Sequence, residues 1–430
     1  MLWLALYASV VACKDDDLVL DPETAALVDA LNLEAEPLSA DPLQWTDEQL
    51  SVLNDVSGQS VIGLGEATHG TAEFFKAKHR IFRYMAEHHG YRIFAIEADF
   101  GESLFINEAV LNSDKSKIET LMRTRMHFWT WRTNEVRDLL YWMCDFNMGK
   151  PANEKVQYWG VDCQFNTYHP DLLLEYLVDV DVSFLAFAES TLMEAKSASS
   201  TQFTGYTGPA FEAYLDKIDA LNDSIVKYDT EISAASSETS YQLNLQLLAV
   251  IRQVSEVIFD SGGPSRRDEF MAVNTKWLFD YFDGAEIVLW AHNFHVSDFP
   301  EAASMGSFLK TFFPGKYYVV GFLFSKGFFR AVTFIDGKSQ GLHVQSIDTE
   351  PKAGSLNELF GHATGEAFTV AISDLEKHSQ WPAAFDDELE YFQMGAVYNG
   401  KPLDYYQPFR DAFYDRLIYF DHTTAAVQVP

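Results

Sequence analysis

Residues 60–100 read SVIGLGEATHGTAEFFKAKHRIFRYMAEHHGYRIFAIEADF, and this stretch decides the fold. A short apolar run at 60–64 predicts a strand, residues 72–88 carry apolar side chains at helical spacing, and residues 91–96 form a second apolar run. Strands that alternate with helices favour parallel pairing, because the helix returns the chain to the starting end of the sheet. The stretch therefore predicts a parallel sheet covered by helices on both faces.

The same pattern extends toward the C-terminus. Apolar runs at 156–161, 286–290, 317–324 and 327–334 predict further strands. From about 165 to 280 strand signal is scarce, and the apolar residues recur three and four positions apart, as in helices. We therefore expect an α/β protein, a three-layer α/β/α sandwich with a largely parallel sheet and a helical insertion at about 165–280.

The composition excludes some classes of partner. The chain has 430 residues, of which 47% are hydrophobic, enough to bury a large core. Lys and Arg number 31 against 63 Asp and Glu, which gives a net charge of −32. A surface of this sign repels polyanions, so we expect no nucleic-acid partner and no binding to anionic membrane surfaces.

The first thirteen residues, MLWLALYASVVAC, form an apolar run shorter than the roughly 20 residues that span a bilayer. The small residue before Cys13 resembles the lipobox of bacterial lipoproteins, which implies export and a lipid anchor at the outer membrane or cell surface of a bacterium. The alternative is an incidental apolar N-terminus. We interpret residues 14–40 as an acidic tether with a short helix, and residues 41–430 as one large domain, so that membrane contact is made only through the anchor.

Two further cysteines, Cys144 and Cys163, permit one disulfide, but two buried thiols are the expected state. Neither adjoins a histidine motif, so neither is a candidate nucleophile. We also expect no serine nucleophile, and therefore no acyl-enzyme route.

Polar side chains follow four of the predicted strands at the point where each strand ends. Glu66 and His69 follow the first strand, Glu97 the second, Asp162 the third and His292 the fourth. Ligands of open α/β sheets bind outside the carboxyl ends of the strands, where these side chains are expected to meet. The bland alternatives are a solvated strand end for Glu97 and a turn or helix cap for Asp162.

The glycine turn GLGEATHG at 63–70 has two interpretations. A dinucleotide-binding loop has the form G-x-G-x-x-G, but Thr68 stands where its third glycine would be. Glu66 would also place a carboxylate in the anion pocket, which argues against phosphate. The turn is better interpreted as one that carries a catalytic glutamate and histidine.

Three more residues are candidates on weaker grounds. His295 lies three residues after His292 in WAHNFH, and two histidines beside an asparagine are harder to explain as core filler than one. Lys78 and Arg267 are each most often solvated charges, and they matter only if the fold brings them to the strand ends.

The motifs GEATHGTAEFFKAKHRIFRYM, IEADF, WGVD, RDEFMAVN and WAHNFH, in this order, resemble the erythromycin esterase family of macrolide-lactone hydrolases. The resemblance runs from about residue 45 to the C-terminus. It implies a three-layer α/β/α core with a helical insertion, and it implies that His69 is the general base that activates a water.

Residue by residue, the resemblance also implies catalytic roles for Glu66, Glu97, Arg267, His292 and His295. Lys78 departs from the arginine of some macrolide-active members, and it loses the planar fork used in bidentate contacts. We expect Lys78 and Asp162 to contact the substrate. That substrate is expected to be a carboxylic ester such as the lactone of a macrolide like erythromycin, with no cofactor.

Two alternatives stay open at this point. Three histidines and two carboxylates at one edge can bind Zn or Mn, which would make the protein a metal-dependent hydrolase, although Lys78 and Arg267 would oppose a dication. A surface-tethered protein that binds a ligand without turnover is the other alternative, but it has little need for several convergent imidazoles.

Overall fold

The computed structural model describes residues 20–259, 264–386 and 389–429. The predicted signal segment, Cys13 and the first residues of the predicted tether lie outside the described residues. Within the described part of the chain, no helix combines the length and the apolar character that crossing a membrane requires.

The centre of the fold is a ten-stranded sheet, with a separate two-stranded sheet of β9 and β11. The strands in the described ranges are β1 (Glu36–Pro37), β2 (Val61–Leu64), β3 (Ile93–Asp99), β4 (Gln157–Asp162), β5 (Ile287–Trp290), β6 (Tyr317–Ile335), β7 (Lys338–Ile347), β8 (Ala367–Ala371), β9 (Glu390–Phe392), β10 (Val397–Tyr398), β11 (Tyr406–Pro408) and β12 (Arg416–Thr423). The strand order is β1-β8-β12-β6-β2-β5-β3-β4, and β7 and β10 also pair with β6. Every pair from β12 to β4 along this order is parallel, so the largely parallel sheet is confirmed.

Helices cover both faces of this sheet. The α-helices of the described ranges are α1 (Pro22–Glu34), α2 (Asp47–Leu50), α3 (Ala72–His88), α4 (Phe100–Leu111), α5 (Lys115–Arg125), α6 (Asn134–Asn147), α7 (His169–Asp179), α8 (Leu185–Ser200), α9 (Gly208–Lys227), α10 (Asp229–Ala235), α11 (Glu238–Phe259), α12 (Pro264–Tyr281), α13 (Asn293–Val296), α14 (Met305–Phe312), α15 (Leu356–Gly361), α16 (Ile372–Leu375) and α17 (Gln380–Asp386). Ile62 packs in the core shared with α3 and α6, whereas its neighbour Val61 packs in the core shared with α12 and α14. Successive side chains of a strand point to opposite faces. The two cores therefore confirm the three-layer α/β/α class.

The described part of the predicted tether at 14–40 contains a short helix and also packs on the folded domain. Helix α1 buries Leu27 and Leu31, and β1 pairs with β8 in the main sheet. The segment is acidic overall, but Leu27 and Leu31 lie one helical turn apart. This spacing places both side chains on the face of the helix that packs on the domain. The folded domain therefore begins near Pro22.

Helices α7 to α12 occupy the range of the predicted insertion. Leu173, Leu192 and Leu221 belong to a core that the helices α7 to α11 share among themselves. Helix α12 instead returns to the sheet, where Asn274 donates to the backbone carbonyl of Val161 at 2.9 Å. The insertion thus has its own core, and its last helix places side chains beside the end of β4.

The four strands β2, β5, β3 and β4 are adjacent and parallel. Their carboxyl ends therefore lie along one edge of the sheet. This edge carries Glu66, His69, His292 and Asp162, and Glu97 lies inside β3, close to its end.

Candidate active site

The glycine turn is held by close backbone packing. A Cβ atom on Gly65 would lie 2.1 Å from Asn293 Oδ1, and one on Gly70 would lie 2.1 Å from the Arg330 carbonyl oxygen. The Gly70 carbonyl accepts hydrogen bonds from the backbone N–H groups of Arg330 and Ala426, both at 2.9 Å. The glycines are therefore needed for close approach of the backbone to Asn293 and Arg330.

Glu66 and His69 form the central pair of this turn. The fully buried carboxylate of Glu66 lies 2.7 Å from His69 Nδ1 through one oxygen. Its other oxygen accepts from Lys78 Nζ at 3.0 Å and from Trp290 Nε1 at 2.7 Å. An ionised carboxylate only accepts, so Nδ1 of His69 carries the proton and Nε2 keeps its lone pair. The side chain of His69 is 12% exposed, so this lone pair belongs to a residue that solvent reaches.

Lys78 lies in the interior beside Glu66. Its side chain is fully buried, with Nζ 4.6 Å from the Trp290 ring centroid and 4.8 Å from that of Phe322. Burial lowers the pKa of Lys78 to about 8, although the Glu66 carboxylate opposes the shift. The substrate contact of Lys78 stays a prediction, and the role that these contacts support is to position Glu66.

His292 caps helix α13 and faces His69. Its Nδ1 accepts from the backbone N–H of Phe294 at 3.2 Å, and its ring centroid lies 5.0 Å from that of His69. Burial above all, together with the charge of His295, holds the pKa of His292 well below its usual range. The ring is therefore neutral, with its proton on Nε2. No described group meets hydrogen-bond geometry at that atom, but the Met394 backbone lies close enough to interact with the ring and acts to raise its pKa.

Arg267 joins the ends of β3 and β4. Its Nε and Nη2 atoms donate to the two oxygens of Asp162, both at 2.8 Å, and Nη2 also donates to Glu97 at 2.7 Å. The second oxygen of Glu97 accepts from the backbone N–H of His292 at 3.0 Å. Burial alone would raise the pKa of Glu97, but His295 and Arg267 together hold it well below the usual range.

The substrate contact of Asp162 stays a prediction, and in this structure its carboxylate holds Arg267. The carboxylate is fully buried, and besides Arg267 it accepts from the backbone N–H of Cys163 and the side-chain amide of Gln164, both at 2.7 Å. No acceptor capacity of this group faces solvent. Asp162 therefore positions Arg267.

The two cysteines of the described residues, Cys144 and Cys163, are free buried thiols, as expected.

His295 is held between two carboxylates. Its Nδ1 lies 2.7 Å from Asp268 and its Nε2 lies 3.3 Å from Glu97. Burial would lower the pKa of His295, but Glu97 and Asp268 outweigh it and raise the pKa to about 10. The ring is thus an imidazolium that donates to both carboxylates. The 3.2 Å contact between His295 Nε2 and Arg267 Nη1 is therefore packing, since both atoms carry protons.

Sequence reasoning missed Asp268 and the segment at Met394 and Gly395. Asp268 follows Arg267 directly in RDEF, so the helical motif held the signal. Met394 donates through its backbone N–H to the Ala67 carbonyl at 2.7 Å, and a Cβ atom on Gly395 would lie 3.9 Å from His69 Nε2. No motif marks this segment, which only the fold brings to the histidine.

The same contacts bear on metal binding and on a serine nucleophile. Both oxygens of Glu66, Glu97 and Asp162 already accept from protein N–H groups, so these carboxylates are poor metal ligands. A G-x-S-x-G sequence does occur, at 337–341, but it lies at the turn between β6 and β7. A nucleophile elbow joins a strand to a helix. Ser339 is therefore not placed as a nucleophile.

A histidine that is oriented by a carboxylate and lies beside a neutral imidazole is an arrangement suited to general acid–base catalysis, as in hydrolytic enzymes. The chain belongs to the erythromycin esterase family, whose model matches residues 86–423. The protein is therefore an ester hydrolase, which leaves the binding-protein alternative without support. Glu66 and His69 precede the matched range, so their assignment rests on the geometry.

Three known proteins are similar to this chain. A putative hydrolase of Bacillus subtilis strain 168 is 22% identical, with 91% of this chain and 90% of the relative covered. Erythromycin esterase type II of Escherichia coli is 23% identical, with 69% and 77% covered. The solved structure of a mutant erythromycin esterase, EreC, in its open conformation matches with a TM-score of 0.69 at 16% identity, covering 92% of this chain and 98% of that one. At such identity the structural likeness shows the fold alone.

Proposed function

We propose that the protein hydrolyses a carboxylic ester by direct attack of water, with His69 as the general base. The observation that carries the proposal is the 2.7 Å contact between His69 Nδ1 and the buried Glu66 carboxylate. This contact fixes the tautomer in which Nε2 can take a proton from water, and it stabilises the imidazolium that then forms. Lys78 and Trp290 fix the carboxylate in turn.

In this mechanism the water oxygen attacks the ester carbonyl while His69 Nε2 removes one of its protons. The charge that develops on the carbonyl oxygen is stabilised by the Nε2–H of His292, a neutral donor that is already dehydrated. When the carbon–oxygen bond breaks, His69 returns the proton to the leaving alkoxide. Acid and alcohol are released, or remain joined as one molecule if the ester is a lactone.

The charged network of Glu97, Asp162, Arg267, His295 and Asp268 has a different place in this proposal. Arg267 is 17% exposed and carries a positive charge at the same edge, where it favours a developing oxyanion. The remaining members hold Arg267 and the backbone of His292 in position through the contacts described above. His295 stays protonated across neutral pH, so it acts as a fixed charge.

We further propose that the substrate is the lactone of a macrolide such as erythromycin. Support comes from the family and from the name of the Escherichia coli relative. The test incubates the protein with a panel of macrocyclic lactones and simple esters and follows each mass. A lactone that is opened gains the mass of one water. If simple esters are cleaved and no macrolide is, the esterase proposal stands and the macrolide proposal fails.

We also propose that the chain is exported and lipid-anchored through Cys13. Only the lipobox-like sequence supports this. The test expresses the full chain and its Cys13→Ser variant in a bacterium and separates membrane from soluble fractions. The variant should leave the membrane fraction, and equal partition of both proteins would reject the anchor.

A further inference from the structure

A second group of titratable side chains lies next to the candidate active site but belongs to none of its contacts. Asp99 ends β3, Glu102 lies in the first turn of α4, and His127 lies in the segment between α5 and α6. One ligand-type atom from each of the three lies within 4.8 Å of the other two. Asp99 and Glu102 are buried, and His127 is 20% exposed.

Each carboxylate of this group uses only one of its oxygens. Asp99 Oδ1 accepts from the backbone N–H of Glu102 at 3.0 Å, and Glu102 Oε2 accepts from the backbone N–H and Nδ1 of His127, both at 2.7 Å. Asp99 Oδ2 and Glu102 Oε1 have no hydrogen-bond partner among the described residues. Buried polar atoms normally have a hydrogen-bond partner, so these two unpartnered oxygens are free to bind a ligand.

A third buried group points to the same place independently. The hydroxyl of Tyr158 is almost fully buried and has no partner among the described residues. Burial, and then the charge of Glu102, raise the pKa of Tyr158, so the hydroxyl lies within electrostatic reach of the cluster. Orphaned oxygens therefore occur on three side chains whose elements, β3, β4 and α4, pack against each other.

We propose that Asp99, Glu102 and His127 hold a divalent cation of the Mn²⁺ or Zn²⁺ kind, in a site separate from the catalytic one. Two carboxylates and one imidazole are the mixed oxygen and nitrogen donors that such ions take. The ligand atoms draw together around the ion. The orphaned carboxylate oxygens become ligands, and the imidazole changes tautomer: its proton moves from Nδ1, where it now bonds Glu102, to Nε2, which then donates to the Thr167 hydroxyl.

The surroundings of the His127 ring favour its binding to a metal ion. Burial lowers the pKa of His127, which keeps the ring neutral as a ligand must be. Nε2 lies 2.8 Å from the Thr167 hydroxyl, and the ring stacks on Phe165 at 4.3 Å between centroids. Such outer contacts fix the ring and leave Nδ1 for the ion.

Charged groups of both signs lie near the three side chains. Asp162 favours a cation, whereas Arg132 opposes it. The buried His169 ring also faces the cluster, with Nε2 at 3.8 Å from Asp99 Oδ1.

The ion would stiffen one wall of the candidate active site. His127 lies four residues before Trp131, whose Nε1 donates to the Glu97 carbonyl at 2.9 Å and whose ring packs edge-on against His69. A cation shared by Asp99, Glu102 and His127 would tie the end of β3 to this segment.

The test uses the whole protein after treatment with EDTA and dialysis. Calorimetric titrations with Mn²⁺, Zn²⁺ and Ca²⁺ are run at pH 7.5, together with thermal melts. One equivalent of Mn²⁺ or Zn²⁺ should bind and raise Tm. Asp99→Asn and Glu102→Gln keep the hydrogen bonds described above but lose the charge, and each should weaken binding roughly 100-fold or more. Asp145→Asn, which removes an exposed acid on α6, should bind as wild type does.

Binding that is absent, or that Asp99→Asn and Glu102→Gln leave unchanged, would overturn the site in favour of a protonated carboxyl pair. If one of these variants fails to fold, His127→Gln takes its place. His69→Asn should lose hydrolysis and keep the cation, so the failure of either proposal is visible without the other.

Discussion

Two regions of the same sheet edge contain the same residue types but use them differently. At the end of β2, one carboxylate, Glu66, meets one histidine and one lysine, and a ring nitrogen of His69 is left with a lone pair. At the ends of β3 and β4, the carboxylates of Glu97, Asp162 and Asp268 meet Arg267 and His295, and the cations and anions satisfy each other. The difference teaches that reactivity depends on which atoms remain unpartnered.

The largest effect is expected at the first region. His69→Asn should lower kcat for any cleaved ester by about 10² to 10⁴-fold, because the general base is lost. Thermal unfolding should change little, since only one ring contact to Glu66 is removed. Steady-state hydrolysis together with a melting curve checks both, and a variant with near wild-type kcat would show that the first region is no more reactive than the second.

The second effect concerns the carboxylate that orients His69. Lys78→Met leaves Glu66 buried with its charge poorly compensated, which should cost about 3–5 kcal/mol of unfolding free energy. The double variant Glu66→Gln/Lys78→Met should recover most of this stability but not the activity. Denaturant titrations of the single and double variants make the measurement. Equal stability of wild type and Lys78→Met would mean that the pair does not hold the base.

A third variant separates a cap from a donor. His292→Asn keeps an acceptor for the Phe294 N–H, because Asn is a good N-cap, but it removes the ring Nε2–H. We expect kcat to fall by roughly 10² to 10³-fold, as for other lost oxyanion donors, with KM changed far less. Unchanged kcat would assign oxyanion stabilisation to Arg267 and hence to the second region.

The ion pairs of the second region should make the stability of the fold depend on pH. His295 has its folded pKa raised from 6.5 to about 10, so its charge stabilises the fold fully below pH 6.5, and this contribution is lost as the pH rises to about 10. Lys78 has a folded pKa lowered to about 8 and shifts stability in the opposite direction between about 8 and 10.5. Comparing wild type with His295→Gln cancels the Lys78 effect. The difference in Tm should be largest at pH 6 and shrink toward pH 10, and a constant difference would refute the ion pair.

The smallest effect is expected from Gly395→Ala. The added Cβ would make ordinary contacts with His69, at 3.8 Å to Cδ2 and 3.9 Å to Nε2, so stability should change by less than about 1 kcal/mol. The methyl group narrows the space in which water approaches Nε2, and we expect kcat to fall a few-fold. A kcat equal to that of wild type would place the water on the other side of the ring.

Much of the fold could be predicted because parallel strands send their polar ends to one edge. From the sequence alone, this rule predicts that Glu66, His69, Glu97 and His292 lie close together. The boundaries of α3 were also predictable, since its apolar spacing is regular. Strand β6 was not, because residues 317–324 and 327–334 are halves of one strand that continues through Gly327.

The burial of Lys78 and of Asp162, which the sequence did not indicate, has a common physical cause. A lysine on a helix is usually solvated, and nothing local in the sequence indicates that Trp290 and Phe322 close around Lys78. An aspartate after a strand is usually free to bind a ligand. The carboxylate of Asp162 is instead bound by Arg267, which is more than a hundred residues away in the sequence. Contacts that decide burial come from distant parts of the chain, and local pattern does not encode them.

The hydrogen bonds of the Gly70 carbonyl have a consequence for the order of folding. Arg330 and Ala426 both donate to it, so the turn that carries His69 is completed by two segments that lie far from it along the chain. Contacts between distant segments close large loops and form after local ones. We therefore expect the turn to reach its final geometry late in folding, after these segments have docked.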